Sequence, residues 1–278
     1  MSQLPDPMPE RQDTVFEVQD AVYRYNNVTA LSGLSVSVRT GQRIAILGAN
    51  GSGKSTLLRL LDGLCFADSG SVRAYGEPLT EKAFRDRNFN FEFRRRVGLL
   101  FQDPDVQLFS PTVFDELAFG PLQLGWPKTL IRQRVADTLE LLEIADLKDR
   151  APHRLSGGEK KRVALGSVLV FDPEVLLLDE PIAALDPRSQ GKVIDFLVAW
   201  GGGAKTILTA THDLDIVEEI ADYCYIFQNG ILAGEGTPKT VLNDQELLER
   251  THLVHAHRHT HPSGEVHSHP HYHRRHEH

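Results

Sequence analysis

Gly48-Ala49-Asn50-Gly51-Ser52-Gly53-Lys54-Ser55-Thr56 carries the most specific chemistry in the chain. Glycines at 48, 51 and 53 let the backbone curl where a Cβ would clash. The spacing G-x-x-x-x-G-K-[ST] is that of a loop whose N–H groups cradle phosphate oxygens. Its lysine reaches the β- and γ-phosphates, and its hydroxyl ligates Mg²⁺. Asp179-Glu180 is the second pair. Two acids after a run of buried aliphatics are costly unless they meet positive charge. Asp179 suits Mg²⁺, directly or through water, and Glu180 suits a general base that polarises an attacking water. Gln102 and His212 each follow an apolar run, at the strand-end edge where open α/β sheets bind ligands. A lone histidine after a strand is usually structural, but at this edge a γ-phosphate contact is the better reading of His212. These residues together point to a nucleoside triphosphate.

The elements that must position them follow from periodicity. Residues 42–47 read as a buried strand before the glycine-rich loop and 56–61 as a helix after it, which places a helix N-terminus against phosphate. Residues 15–19, 21–25 and 34–38 alternate like strands, and 71–76 is a further strand and turn. Residues 81–96, rich in charge and phenylalanine, read as a mobile amphipathic link. Strands are expected at 97–101, 175–180 and 205–211. Helical spacing appears at 112–119, 128–142, 159–170, 192–200 and 214–221, and within 237–250. A hairpin is expected around Asn229-Gly230. Tyr25 lies upstream of the glycine-rich loop, where its ring suits either purine stacking or a half-buried strand position. The expected fold is α/β, with a mainly parallel core sheet, a small antiparallel portion and an inserted helical subdomain at about 103–170. The expected division is a disordered lead at 1–14, a nucleotide-binding domain at 15–250 and a histidine-rich tail at 251–278.

Composition narrows the classes. The 278 residues are 41% hydrophobic, enough for one or two domains with a real core. A net charge of −8 argues against a nucleic-acid footprint. Cys65 and Cys224 cannot form a disulfide framework, which suggests a reducing compartment. The first thirteen residues have neither the basic start nor the apolar stretch of a signal peptide. No run approaches a bilayer-spanning length, so a membrane role requires docking on another chain.

Leu155-Ser156-Gly157-Gly158-Glu159 alone reads as a capped helix start. Taken in order with Gly48–Thr56, Gln102, Asp179-Glu180, Ala184-Leu185-Asp186 and His212, it resembles the ATP-binding-cassette ATPases, over about residues 15–250. That resemblance implies a P-loop NTPase fold and two domains that sandwich two ATP molecules head to tail. The loop of one copy would face Ser156, Gly157 and Gly158 of the other, whose hydroxyl and helix-start N–H groups suit a γ-phosphate. It also implies that Tyr25 stacks on adenine, that Gln102 senses Mg²⁺ and the water, that His212 holds the γ-phosphate, and that Asp186 connects the two sites.

Phe101-Gln102-Asp103-Pro104-Asp105-Val106-Gln107-Leu108-Phe109, with Thr112-Val113 and Ala118-Phe119-Gly120-Pro121, resembles the energy-coupling-factor ATPases more narrowly. Pro152-His153-Arg154 before the 155–164 stretch is similar to their cobalt/nickel branch. The implied role is the ATPase of a nickel or cobalt importer. It would be a homodimer, peripheral on the cytoplasmic membrane face, driving a transmembrane coupling subunit and a separate substrate-capturing membrane subunit. No nucleic-acid partner is expected. Vitamin import by the same architecture and a soluble metallochaperone NTPase are the rival readings. Ile182 stands where Thr is usual, and Ala184 where Gly is common, which bears on fine control of the rate.

Eleven of the 13 histidines fall in the last 27 residues, many two apart. Imidazole suits Ni²⁺, Co²⁺ and Zn²⁺. His255, His257, His259, His261, His267, His269, His271 and His273 are the expected ligands of a transition metal on this tail.

Overall fold

The computed structural model describes residues 14–201, 203–254, 256–260 and 266–270. Strands β1 (Thr14–Tyr25) and β2 (Val28–Arg39) form an antiparallel hairpin. It turns at Asn26, whose φ of 50° suits asparagine's tolerance of the left-handed region. Next come β3 (Arg43–Leu47), the glycine-rich loop, α1 (Lys54–Leu61), β4 (Ser69–Ala74) and β5 (Glu77–Pro78). Helices α2 (Glu81–Phe84) and α3 (Arg87–Arg96) lead into β6 (Val97–Leu100). A helical block of α4 (Val113–Gln123), α5 (Lys128–Leu141) and α6 (Gly157–Leu169) precedes β7 (Val175–Asp179). The chain then runs through α7 (Pro187–Trp200), β8 (Thr206–Thr211), α8 (Val217–Ile220), β9 (Tyr223–Gln228) and β10 (Ile231–Gly236). Helices α9 (Pro238–Asn243) and α10 (Gln245–Arg250) and strands β11 (Ala256–Thr260) and β12 (Val266–Pro270) follow.

One sheet has the order β10-β9-β3-β8-β7-β6. Its strands from β9 to β6 are parallel, and β10 joins as the antiparallel arm of the expected Asn229-Gly230 hairpin. The second sheet, β2-β1-β4-β5, is antiparallel throughout. Every residue of β7 and β8 is buried, as strands covered on both faces require. Side-chain alternation divides the interior in two. Ile44 and Ile46 of β3 join the core that holds β1, β2, β4 and α1, while Ala45 and Leu47 join the core that holds α4 to α8. Helix α1 lies inside the first core, with Leu57, Leu58, Leu60 and Leu61 at most 1% exposed. Burying such side chains contributes about 1.5–3 kcal/mol each. This is the expected α/β class, with the parallel sheet, the antiparallel portion and the helical insertion in place.

The parallel strands all point one way, so Leu47, Leu100, Asp179 and Thr211 end at a common edge. Helix α6 approaches that sheet closely at Gly98, where an added Cβ would lie 2.1 Å from Val168. Its start is a capping box: Glu159 N–H donates to Ser156 Oγ, and Ser156 N–H donates to Glu159 Oε2 at 2.7 Å.

Residues 81–96 are not the link their composition suggests. Phe84 contacts Phe66, Phe89 and Phe93, and Arg94 donates to the buried Asp62 at 2.5 Å, so α2 and α3 are anchored beside the end of α1. The expected helix at 214–221 contracts to Val217–Ile220. The last helix divides at Asp244, whose ψ of 83° breaks the helical path and whose side chain caps α10.

Two non-glycine residues between β7 and α7 adopt positive φ: Glu180 at 46° and Ala184 at 59°. Ala184 is exposed, and its methyl group sits in a conformation that suits glycine. Ala184→Gly should therefore stabilise the fold by up to about 1 kcal/mol, raising Tm by about 2–4 °C in a calorimetric scan. An unchanged or lower Tm would show that this backbone is not strained.

Candidate functional site

A cleft of about 450 Å³ opens at the common strand edge. Tyr25 lines one end, residues 50–56 form its floor, and Gln102, Asp179 and Glu180 close the other end. A larger groove of about 590 Å³ lies between the two sheets around Tyr223 and Tyr225, away from this chemistry.

The floor is held from both sides. Ser52 N–H donates to Ala49 O, and Gly230 N–H donates to Ser52 O, which ties the loop to the β9–β10 turn. Gly53 has φ 108°, and a Cβ there would lie 2.8 Å from the Ala30 carbonyl oxygen, so only glycine fits. Gly48 and Ala49 supply carbonyls: the Lys54 ammonium donates to Gly48 O at 2.6 Å and Ala49 O at 3.3 Å. Lys54 also lies 4.0 Å from Glu180 Oε1. Asn50, Gly51, Ser52 and Thr56 also line the cleft, with Val28, Thr29 and Ala30 of β2 beside them. Ser55 Oγ donates to Asp179 Oδ1 at 3.0 Å. That hydroxyl and carboxylate are hard oxygen donors of the kind Mg²⁺ takes, so the residues present fit the ion.

Glu180 is 4% exposed, yet its carboxylate is fully partnered. Oε1 meets His212 Nδ1 at 2.7 Å, and Oε2 accepts from Thr211 Oγ at 3.2 Å. Strained backbone at a functional position costs about 1–3 kcal/mol and persists where neighbours over-determine it. Here Glu180 N–H donates to Ala210 O across the sheet, while Thr211 and His212 hold the side chain. Burial pushes the Asp179 carboxyl up, and the bond from Ser55 opposes that shift. Burial pushes the Lys54 ammonium down, and Glu180 and Asp179 oppose it. The two carboxylates thus favour the charged form of the Lys54 ammonium against its burial.

Tyr25 is 38% exposed at the cleft mouth, meets Tyr23 edge-on at 4.8 Å, and accepts a hydrogen bond from Arg59 at 3.1 Å. Ser156, Gly157, Gly158 and Asp186 do not line the cleft. Ser156 and Gly157 are exposed at the start of α6. Gly158 is buried against the α7 start, where an added Cβ would meet Ser189 Oγ at 2.5 Å. Asp186 caps α7 by accepting from Arg188 N, Ser189 N and Ser189 Oγ, which hold its carboxyl low. On the tail, His257, His259, His267 and His269 fall on β11 and β12, whose register pairs His257 with His269 and His259 with His267. His255, His261, His271 and His273 lie outside the described residues.

Two contributors escape sequence reasoning. Arg59 reaches Tyr25 only because α1 packs under the β1–β2 hairpin, and nothing in spacing signals it. Thr211 is a hydroxyl residue at the end of a buried strand, directly before His212, and that position was the available signal.

The family described as ABC transporter matches residues 31–183. The nickel import ATP-binding protein NikO of Rhodobacter capsulatus is 53% identical over 242 residues, covering 86% of this chain and 95% of that protein. The energy-coupling factor transporter ATP-binding protein EcfA of Methanoculleus marisnigri is 42% identical over 244 residues, covering 86% and 85%. Among solved structures, cbiO1 from Clostridium perfringens, part of the ABC transporter complex cbiONQ, superposes with a TM-score of 0.73 at 37% identity, covering 87% of this chain and 95% of that one.

Thr211→Val removes the hydroxyl that donates to Glu180 and accepts from Asp213 N–H. Leaving these buried groups short of a partner should cost about 1–2 kcal/mol and lower Tm by about 2–8 °C. Thr211→Ser should restore most of the loss, and equal melting of both variants would show that the hydroxyl is dispensable.

Proposed function

Because the chain belongs to the ABC transporter family, we propose that it is the ATP-hydrolysing subunit of an energy-coupling-factor-type importer for nickel or cobalt ions. Its substrate is ATP with Mg²⁺. The observation that carries the reading is the convergence of Lys54, Ser55–Asp179 and Glu180–His212 at one strand edge. The 53% identity to a nickel import protein supports the choice of ion over a vitamin.

The chain's residues divide the work. N–H groups of the 48–56 loop and the start of α1 bind phosphate oxygens, and Lys54 neutralises charge on the β- and γ-phosphates. Ser55 and Asp179 would hold Mg²⁺, with Gln102 completing the set, and the ion would offset charge on the same phosphates. Glu180 takes the proton of the attacking water, and His212, bonded to it, contacts the γ-phosphate. Tyr25, steadied by Arg59, stacks on adenine. Ser156 and Gly157, exposed and outside their own cleft, suit the γ-phosphate of a second copy, which supports a head-to-tail homodimer with Asp186 near the shared boundary.

Docking on a membrane partner has its own support. Val106 and Phe109 are 68% and 67% exposed beside Gln102, and Phe109 meets Phe119 edge-on at 4.8 Å. This apolar patch suits a helix of a transmembrane coupling subunit, with a substrate-capturing subunit beside it. No helix of the described residues is long and apolar enough to cross a membrane. We place the chain on the cytoplasmic face, as a 15–250 nucleotide-binding domain with its 103–170 helical part and a tail that takes Ni²⁺, Co²⁺ or Zn²⁺.

Glu180→Gln should bind ATP and pair with it while hydrolysing about 10²–10⁴-fold more slowly, measured by phosphate release and light scattering. Near-normal turnover would remove Glu180 from the role of base. Leu253 and Val254 pack against the core, so the tail is best cut after Val254. That truncation should keep ATPase activity and lose most Ni²⁺ and Co²⁺ binding in calorimetric titration, whereas undiminished binding would place the ligands elsewhere.

A further inference from the structure

Lys161 is 2% exposed on the inner face of α6, in line with Ala164, Leu165 and Val168, all buried. Its ammonium donates to Phe101 O at 3.0 Å and Gln102 O at 2.8 Å. Those two carbonyls belong to the peptide planes on either side of the Gln102 Cα. Pinning both planes restricts φ and ψ of Gln102, and so restricts where its side chain points. Burial pushes the ammonium down to about 8, and Asp179, Glu180 and Asp103 oppose that shift.

Lys161 does not act alone on this segment. Lys160 pairs with Asp105 at 2.6 Å, and Gln107 donates to Ala164 O at 2.8 Å and Ser167 Oγ at 3.0 Å. Gln107 also accepts from Phe101 N–H at 3.3 Å. Residues 101–107 are therefore fastened to successive turns of α6, the helix that begins beside Ser156. Lys161 lies five positions after Ser156, about 7.5 Å along a helix axis. These contacts connect the helix that starts at Ser156 directly to the backbone of Gln102.

We propose that Lys161 is a positioning residue for Gln102, its ammonium setting both flanking peptide planes and joining them to the helix that starts at Ser156. The inference rests on the reading of Gln102 as the residue that senses Mg²⁺ and the water.

The test is steady-state ATPase kinetics on the full chain with Lys161→Met, Lys161→Gln, Gln102→Ala and the Lys161→Met/Gln102→Ala double variant, each checked for folding by thermal melting. Misplacing a reacting group should lower kcat of Lys161→Met about 10- to 100-fold, with KM for ATP within about twofold of normal. Lys161→Gln, which keeps an N–H donor, should recover part of kcat. The double variant should be no slower than Gln102→Ala alone, since both changes remove one function. If Lys161→Met fails to fold, Lys161→Gln combined with Gln102→Ala carries the same comparison. Multiplying defects in the double variant, or a Lys161 effect confined to KM or melting, would overturn the proposal. A normal kcat for Gln102→Ala would instead overturn the reading of Gln102 on which it stands.

Discussion

Lys54, Asp179 and Glu180 are each no more than 6% exposed at the rim of an apolar sheet. Buried charges persist only when each is paired and hydrogen-bonded. Lys54 has two loop carbonyls and Glu180, Asp179 has Ser55, and Glu180 has Thr211 and His212. Removing any one member leaves another uncompensated. Much of the molecule can be understood as the frame for this mutual neutralisation. Adjacent parallel strands bring Asp179-Glu180 beside Thr211-His212. Helix α1, clasped between two sheets, delivers Lys54 and Ser55 from below.

The frame also explains why Glu180 keeps a left-handed backbone. A regular strand continuing past Asp179 would alternate its side chains across the two faces. The turn at Glu180 instead aims its carboxylate at the next strand's end. The same loop then reaches Asp186, which caps α7 and borders Gly158 at the start of α6. The path from the buried acids to the exposed Ser156-Gly157 is thus short and runs through hydrogen-bonded turns. In the proposed dimer it would link one cleft to the other.

Legibility from sequence varied with the range of the interaction. The 48–56 loop is legible because the chemistry proposed for it needs only adjacent backbone groups and two consecutive side chains. The acids were readable because a continuous aliphatic run ending in charge has few structural explanations. Residues 81–96 resemble a link in composition alone because what orders them, Phe66 and Asp62, lies elsewhere in the chain. Tyr25 suits strand packing or stacking on sequence alone, and its exposure and its bond from Arg59 come from elements distant in the chain. The tail histidines are evident as composition, and the backbone register of β11 and β12 adds which positions pair.

Sequence alone determined the glycine-rich loop, the main strands of the parallel sheet with the helical block between them, and the position of the acids, because each is written in neighbouring residues and their period. Tertiary structure decided what no local pattern holds. It set the strand order that puts β7 beside β8, the positive φ at Glu180 and Ala184, and the burial of a lysine among the aliphatics of α6. The physical reason is that a charge or a strained turn inside a protein is settled by partners far along the chain, and packing alone brings those partners within reach.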